Sequence, residues 1–225
     1  MNLLELLPLV LLGTVCGMDM VSFPQVMISR PLVAATAAGA IMGHPGEGLL
    51  AGAVLELIAL GTLPFGASRY PEWGTASVIG GALYAMHAGN SGALPLAVFA
   101  ALCAAMLSGS SIVLLRKLNG RLAGHARNDI ERGSREAVMR LQITGLVADA
   151  ARAAVLTFAL LLVLVPIVEV ATEIWGADAT FSTAVTVGVA AAVAGGIIWN
   201  AVPAGSRRLR AALIGAGVLL AVAIA

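Results

Sequence analysis

Apolar residues run along this chain in stretches, and what interrupts them differs between its two halves. From Leu6 to Met18 the chain is apolar, and Asp19 ends the stretch. A polar, proline-bearing link, Ser22-Phe23-Pro24-Gln25, leads to Ser29-Arg30-Pro31. Pro31 suits the first turn of a helix, where a missing N–H is not needed. That helix runs on small residues to about Gly43, and His44-Pro45-Gly46 is a turn signal. Glu47 falls in the first turn of the next helix, where its charge complements the dipole. This helix is apolar from Gly48 to Gly61 apart from Glu56. A membrane crossing needs roughly 20 apolar residues. These two helices are too short for that, and with a sharp turn between them they read as a re-entrant or broken pair. A non-helical stretch, Gly61 to Gly74, precedes another short apolar piece, Thr75 to Ala88, which Asn90-Ser91-Gly92 breaks.

Beyond that point the pattern is regular. Leu94 to Leu115, Leu141 to Val168 and Phe181 to Val202 are each long enough to span, and Ala211 to Ala225 is short for a span. Between the first two lies a polar, basic loop, Arg116 to Arg140, which composition reads as a polar amphipathic helix at the membrane surface and which could also be a docking surface for a cytoplasmic partner. The expectation is an all-α polytopic membrane helix bundle, with re-entrant or broken hairpins in its N-terminal half and one membrane-embedded domain over 1–225.

Composition strengthens this reading. Of 225 residues 60% are hydrophobic and 11% charged, and mean hydropathy is +0.97. A soluble domain carries about 25% charged residues, so lipid is the solvent this surface suits. The net charge of +1 argues against a nucleic-acid partner. Where the basic residues sit matters more than their sum. Arg116, Lys117, Arg121, Arg127, Arg132, Arg135 and Arg140 cluster in the loop, and Arg207, Arg208 and Arg210 form a second group. Two crossings separate the clusters, and the link between those crossings holds Glu169, Glu173 and Asp178 without Lys or Arg. The positive-inside bias puts both clusters in the cytoplasm. Glu5 and the absence of a basic N-terminal region make the first segment a retained one rather than a cleaved signal.

A charged group at mid-membrane costs about 2.5–3.5 kcal/mol even on insertion scales. Asp19, Arg30, Glu56 and Glu72 are therefore candidates for function. Glu56 has a plainer reading as well, an ion pair with Arg30 or Arg69 that holds helices together. The stretch Leu63 to Trp73 is the most informative. Non-helical backbone at membrane depth survives only when buried in protein or lining a wet cavity. Gly66 and Ala67 would let a ligand approach the backbone. Glu56, Glu72 and Gln25 could meet sugar hydroxyls, and Phe65 or Trp73 a sugar's apolar face. The plainer alternative makes Tyr70 and Trp73 belt anchors at the interface. His44, His87 and His125 lack metal-site spacing, Cys16 and Cys103 suit buried apolar surroundings, and no metal or cofactor is expected. Asp149 and Arg152, three apart, share a helix face and form a local, structural ion pair.

Three pieces of the chain resemble the IIC subunit of the mannose-family sugar phosphotransferase system. They are Phe23 to Val33, with Gln25 and Ile28-Ser29-Arg30-Pro31; the glycine–glutamate–glycine pattern from Gly39 through Gly48, Gly52 and Glu56 to Pro64-Phe65-Gly66-Ala67 and Pro71-Glu72; and the loop Arg116 to Arg140 with the span from Gln142. The resemblance implies a IID membrane partner and cytoplasmic IIA and IIB proteins. It also implies a trimer of IIC–IID heterodimers, inverted pseudo-symmetry and elevator-type transport through the cell's inner (plasma) membrane. IIB carries a phosphohistidine that phosphorylates the sugar, so no catalytic residue is expected in this chain. By motif match the sugar site comprises Glu56, Gly66, Ala67 and Glu72, with Gln25 and Arg30 nearby. Arg127, Arg132 and Arg135 would dock IIB. Glu72 stands where the family usually has aspartate. Two other readings share the composition: a solute-capture subunit of an ATPase-coupled importer, and an intramembrane enzyme, which lacks a nucleophile–base pair here.

Overall fold

The computed structural model describes residues 6–62 and 69–201, with 208, 211 and 212 besides. Gly66, Ala67 and residues 213–225 of the final apolar stretch lie outside them. The described residues form eight helices and no strand: α1 (Leu7–Asp19), α2 (Pro31–Ile41), α3 (Pro45–Ala59), α4 (Trp73–Met86), α5 (Ala93–His125), α6 (Arg127–Glu131), α7 (Arg135–Glu173) and α8 (Ala179–Ala201). Among the described residues, only α5, α7 and α8 are long and apolar enough to cross a bilayer. The short helices begin where the sequence places proline and Glu72: Pro8, Pro31 and Pro45 occupy first-turn positions, and Glu72 is the N-cap of α4.

α2 and α3 form a tight antiparallel hairpin. Gly43, at φ +81°, turns the chain out of α2, a conformation that side chains other than glycine's disfavour. A Cβ added to Gly39 would lie 2.7 Å from the Gly48 Cα, so the backbones meet directly. α4 lies at the centre, packed on α1, α2, α3, α5 and α7. Twelve of its 14 residues are buried, which is why it reads as uniformly apolar rather than amphipathic. Val54, Leu55, Ile79, Leu83, Leu94 and Leu161 fill the core around it.

The polar stretch 116–140 is mostly helical, and it continues the two flanking spans rather than forming a separate surface helix. α5 continues without a break to His125, α6 makes one turn, Gly133 at φ +77° reverses the chain, and Ser134 caps α7 by accepting from the Ala137 N–H at 3.3 Å. The sequence set this stretch apart from the spans because polarity marks where lipid ends, not where a helix ends. From Arg116 to His125 the helix adds roughly 14 Å at 1.5 Å per residue.

Candidate functional site

The C-terminus of α1, the N-terminus of α2, the C-terminus of α3 and the N-terminus of α4 converge at the end of the bundle from which the basic hairpin projects. Between them is a cavity of about 600 Å³, within the roughly 300–1,000 Å³ of small-molecule sites. Its wall includes Asp19, Gln25, Ser29, Arg30, Thr62, Tyr70, Trp73 and Arg116.

Asp19, the last residue of α1, is 2% exposed. Its carboxylate accepts from the Val26 N–H at 2.7 Å, the Ser29 N–H at 3.0 Å and the Ser29 hydroxyl at 2.8 Å. These bonds bend the link between α1 and α2 back over the bundle. They also hold Gln25 and Met27 at φ 60° and 68°. Such left-handed conformations away from glycine cost on the order of 1 kcal/mol or more and persist where the surroundings over-determine them. Gln25 and Arg30 both line the cavity as a result.

Glu56, on α3, pairs with Arg30 and accepts from the Leu32 N–H at 3.2 Å. That N–H is one of the donors a helix start leaves open, so the Glu56 carboxylate caps the neighbouring helix while neutralising Arg30. The Arg30 side chain stays 42% exposed and that of Glu56 20%. Arg30 is part of the cavity wall, and Glu56 stands behind it. Of the two partners the sequence offered Glu56, the fold selects Arg30; Arg69 instead donates to Ser110. Glu72 is fully buried. It caps its own helix by accepting from the Thr75 N–H at 3.0 Å, and its N–H donates to the Ala105 carbonyl at 3.0 Å.

The aromatic residues are not belt anchors. Tyr70 and Trp73 are 8% and 5% exposed and form a cavity wall. The Trp73 indole N–H donates to Thr62 Oγ1 at 2.6 Å. The Tyr70 ring lies beneath the Arg116 guanidinium, 5.0 Å from Cζ to ring centroid, and its hydroxyl accepts from Arg116 at 2.6 Å. Arg116 therefore belongs to the cavity as much as to the basic stretch. The sequence held one signal of this: Arg116 is the first charge after the apolar run of α5.

Behind the cavity lies a second charged group. Asp149 is fully buried and the Arg152 side chain 8% exposed, paired at 2.7 Å. The pair is more than local. Arg152 also donates to the Gly17 carbonyl and the Ser111 hydroxyl, each at 3.2 Å, and Ser22 donates to Asp149. One ion pair thus ties α7 to α1, α5 and the cavity-lining link. On the projecting hairpin, Arg127, Arg132 and Arg135 are exposed, and Arg127 donates to Glu131 at 2.7 Å. Among the described residues, no group of three or more His, Cys, Asp or Glu could hold a metal ion. At the opposite end of the bundle, His44, His87, Asn90, Glu169 and Glu173 line a cavity of about 550 Å³.

The geometry at the first cavity suits a small neutral polar molecule. It offers an amide, hydroxyls and charged groups already neutralised by partners, beside two aromatic rings. Comparison with known proteins agrees with the architecture. The chain is 31% identical over 145 residues to the sorbose-specific EIIC component of the PTS system of Lacticaseibacillus casei, covering 64% of this chain and 51% of that one. It is 26% identical over 153 residues to the mannose-specific EIIC component of Escherichia coli (strain K12), covering 68% of this chain and 56% of that one. The chain spans about half the length of these curated relatives. Two solved structures share the fold at 21% identity, each covering 100% of this chain and 94% of its own. One, with a TM-score of 0.75, is described as the structure of a membrane protein. The other, at 0.63, is the mannose transporter ManYZ in complex with microcin E492. The family of sorbose-specific IIC components of the PTS system matches residues 3–215, and the chain belongs to this mannose-type family of IIC membrane components of the sugar phosphotransferase system.

Proposed function

We propose that this chain is the sugar-translocating membrane subunit of a phosphoenolpyruvate-dependent phosphotransferase system of the mannose family, working with a IID membrane subunit. The observation that carries the reading is the cavity between broken helices, where Asp19, Gln25, Ser29 and Arg30 share a wall with Tyr70 and Trp73. Short helices with polar ends at a wet cavity are what a bilayer tolerates only inside protein. The sugar contacts Gln25 and Arg30 directly, and Glu56 tunes Arg30 from behind. Glu72 shapes the site by capping α4. Gly66 and Ala67 supply backbone contacts.

The same reading gives the rest of the assembly. IIC and IID associate as a trimer of heterodimers in the inner membrane, and one domain carries the sugar past another in elevator fashion. The basic hairpin faces the cytoplasm and docks IIB, which receives phosphate from IIA, through Arg127, Arg132 and Arg135. The deciding experiment is sugar uptake into vesicles containing this chain and its IID partner, with and without phosphorylated IIB. Mannose, sorbose and fructose are the first sugars to try. Uptake that requires IIB and yields sugar phosphate is the expected result. Uptake that instead requires an ATPase would replace this reading with that of a solute-capture subunit.

A further inference from the structure

Three helices end at the side of the bundle opposite the basic hairpin: α2 at Ile41, α4 at Met86 and α7 at Glu173. A helix end carries open carbonyls and partial negative charge, which a basic residue in the last turn offsets. None of these three helices has one there. Between them lies the cavity of about 550 Å³ lined by His44, His87, Asn90, Glu169, Thr172 and Glu173, with no Lys or Arg in its wall. α4 runs from the first cavity to this one, so the two stand roughly 20 Å apart at 1.5 Å per helical residue. Glu169 and Glu173 are exposed, and neither takes part in an ion pair among the described residues. Four apart on one helix, they share a face and repel each other. His44 is engaged, its Nδ1 lying 3.7 Å from Glu47. His87 supplies an observation of a different kind. It is 9% exposed, and its Nδ1 lies 2.9 Å from the Leu83 carbonyl oxygen. A carbonyl only accepts, so Nδ1 holds the proton and Nε2 the lone pair. Nε2 has no partner among the described residues, and it is not one of their sealed, unpartnered polar atoms, which are Ser77 Oγ, Ser108 Oγ and Asn119 Oδ1. It therefore opens to the cavity that its ring lines.

We propose that this cavity is a second ligand site, independent of the sugar-transport reading, and that it binds a small hydroxylated organic ammonium, an amino alcohol. The ammonium lies against Glu169 and Glu173, relieves their repulsion and faces the carbonyl ends of the three helices. A hydroxyl of the ligand donates to His87 Nε2. Thr172 already donates its own hydroxyl hydrogen to the Glu169 carbonyl at 2.7 Å, which leaves its oxygen to accept. An ammonium offers donors and no acceptor, the complement of such a wall. A neutral polyol would supply the donors and leave the negative charge unmatched. A metal ion is a poorer fit, since no group of three or more His, Cys, Asp or Glu among the described residues could hold one. The same ammonium chemistry occurs free and in the ethanolamine headgroup of a lipid. The headgroup also brings a phosphate, for which the wall has no Lys or Arg, so the free compound is the better match.

The test is calorimetric binding to the full chain in phosphatidylglycerol nanodiscs. The probes are serinol (2-amino-1,3-propanediol) and glycerol, which differ by an ammonium in place of a hydroxyl. Serinol should bind about tenfold or more tightly than glycerol, the scale of a charge-assisted hydrogen bond, and the advantage should shrink as salt rises. Glu169→Gln and Glu173→Gln should each weaken serinol, and the double variant should erase its advantage over glycerol. Both side chains are exposed, so the double variant should keep the helical content and unfolding temperature of the wild type. His87→Phe, which keeps a ring and removes the acceptor, should give a smaller loss. No serinol binding by the folded wild type, equal binding of serinol and glycerol, or undiminished binding in the double variant would overturn the proposal. If phosphatidylethanolamine in the nanodisc abolishes serinol binding, the occupant is the lipid headgroup and the assignment to a free compound is wrong. Hexose uptake by the double variant should match the wild type, and its loss would make the cavity part of the sugar path rather than a separate site. Because binding is read without uptake, a failure of the transport reading leaves this result intact.

Discussion

The two halves of this molecule manage polar groups in opposite ways. In the front, α1 to α4 are 11 to 15 residues long, and charged side chains sit near their ends, where each meets open backbone groups or a partner. Asp19 organises a link, Glu56 caps α2 and Glu72 caps α4. In the back, α5, α7 and α8 cross at full length, and α7 and α8 leave Val155, Leu162, Val163, Ile167, Val185 and Val189 exposed. A continuous helix satisfies its own backbone and asks little of its side chains, so its surface can face lipid. A broken helix leaves four open donors at its start and four open acceptors at its end. In a membrane those groups must be met inside the protein. The carboxylates of the front half serve that need first, and it is their collection at one end of the bundle that leaves a polar cavity there.

The contrast is broken most sharply at the one place where a back helix carries a buried ion pair. Asp149→Ala leaves Arg152 charged and nearly enclosed, and should lower stability by about 3–5 kcal/mol. Replacing both, as Asp149→Ala with Arg152→Met, should recover much of it, as read by thermal unfolding in detergent. Equal loss in the single and double variants would mean that Ser22 and Gly17, rather than the pair, carry the effect.

Glu56→Gln should come next. It removes a charge-assisted contact worth about 1.5–3 kcal/mol and so should weaken sugar uptake about tenfold or more with normal membrane insertion. Unchanged uptake would remove Glu56 from the site. Neutralising Arg127, Arg132 and Arg135 together should lower coupling to IIB several-fold, with a loss that shrinks as salt rises because exposed charges are screened. Sugar binding should hardly change, and equal loss of both would contradict docking. Smallest of all, Val155→Ala on the exposed face of α7 should move stability by less than about 0.5 kcal/mol. A larger loss would mean that this face is covered by protein.

Much of the fold was legible beforehand, for reasons that particular residues make plain. Pro31 marks a helix start as expected, and the turn signalled by His44-Pro45-Gly46 falls slightly earlier, between Ile41 and Pro45, so that Pro45 opens α3. The spans were visible because twenty apolar residues leave little else to be. Less of the site was legible. Gln25 and Arg30, offered by motif match, line one cavity wall, and Glu72, offered with them, is a buried cap of α4. Arg116 was counted among seven basic residues, yet it lines the cavity. Charge spacing along a helix cannot tell which of several cations lies against a ring more than forty residues away. Tyr70 and Trp73 illustrate the same limit, since an aromatic residue beside glycine and proline looks alike at an interface and in a wall.

The sequence by itself determined the solvent, the helical class and the lengths of the crossings. Each of these follows from local quantities: hydropathy, turn chemistry and side-chain volume. Only the tertiary structure decided which carboxylate meets which helix end, which arginine faces the cavity, and that a polar stretch continues as helix. Those outcomes depend on partners brought together from distant parts of the chain, and a buried charge has no fixed meaning until its partner is in place.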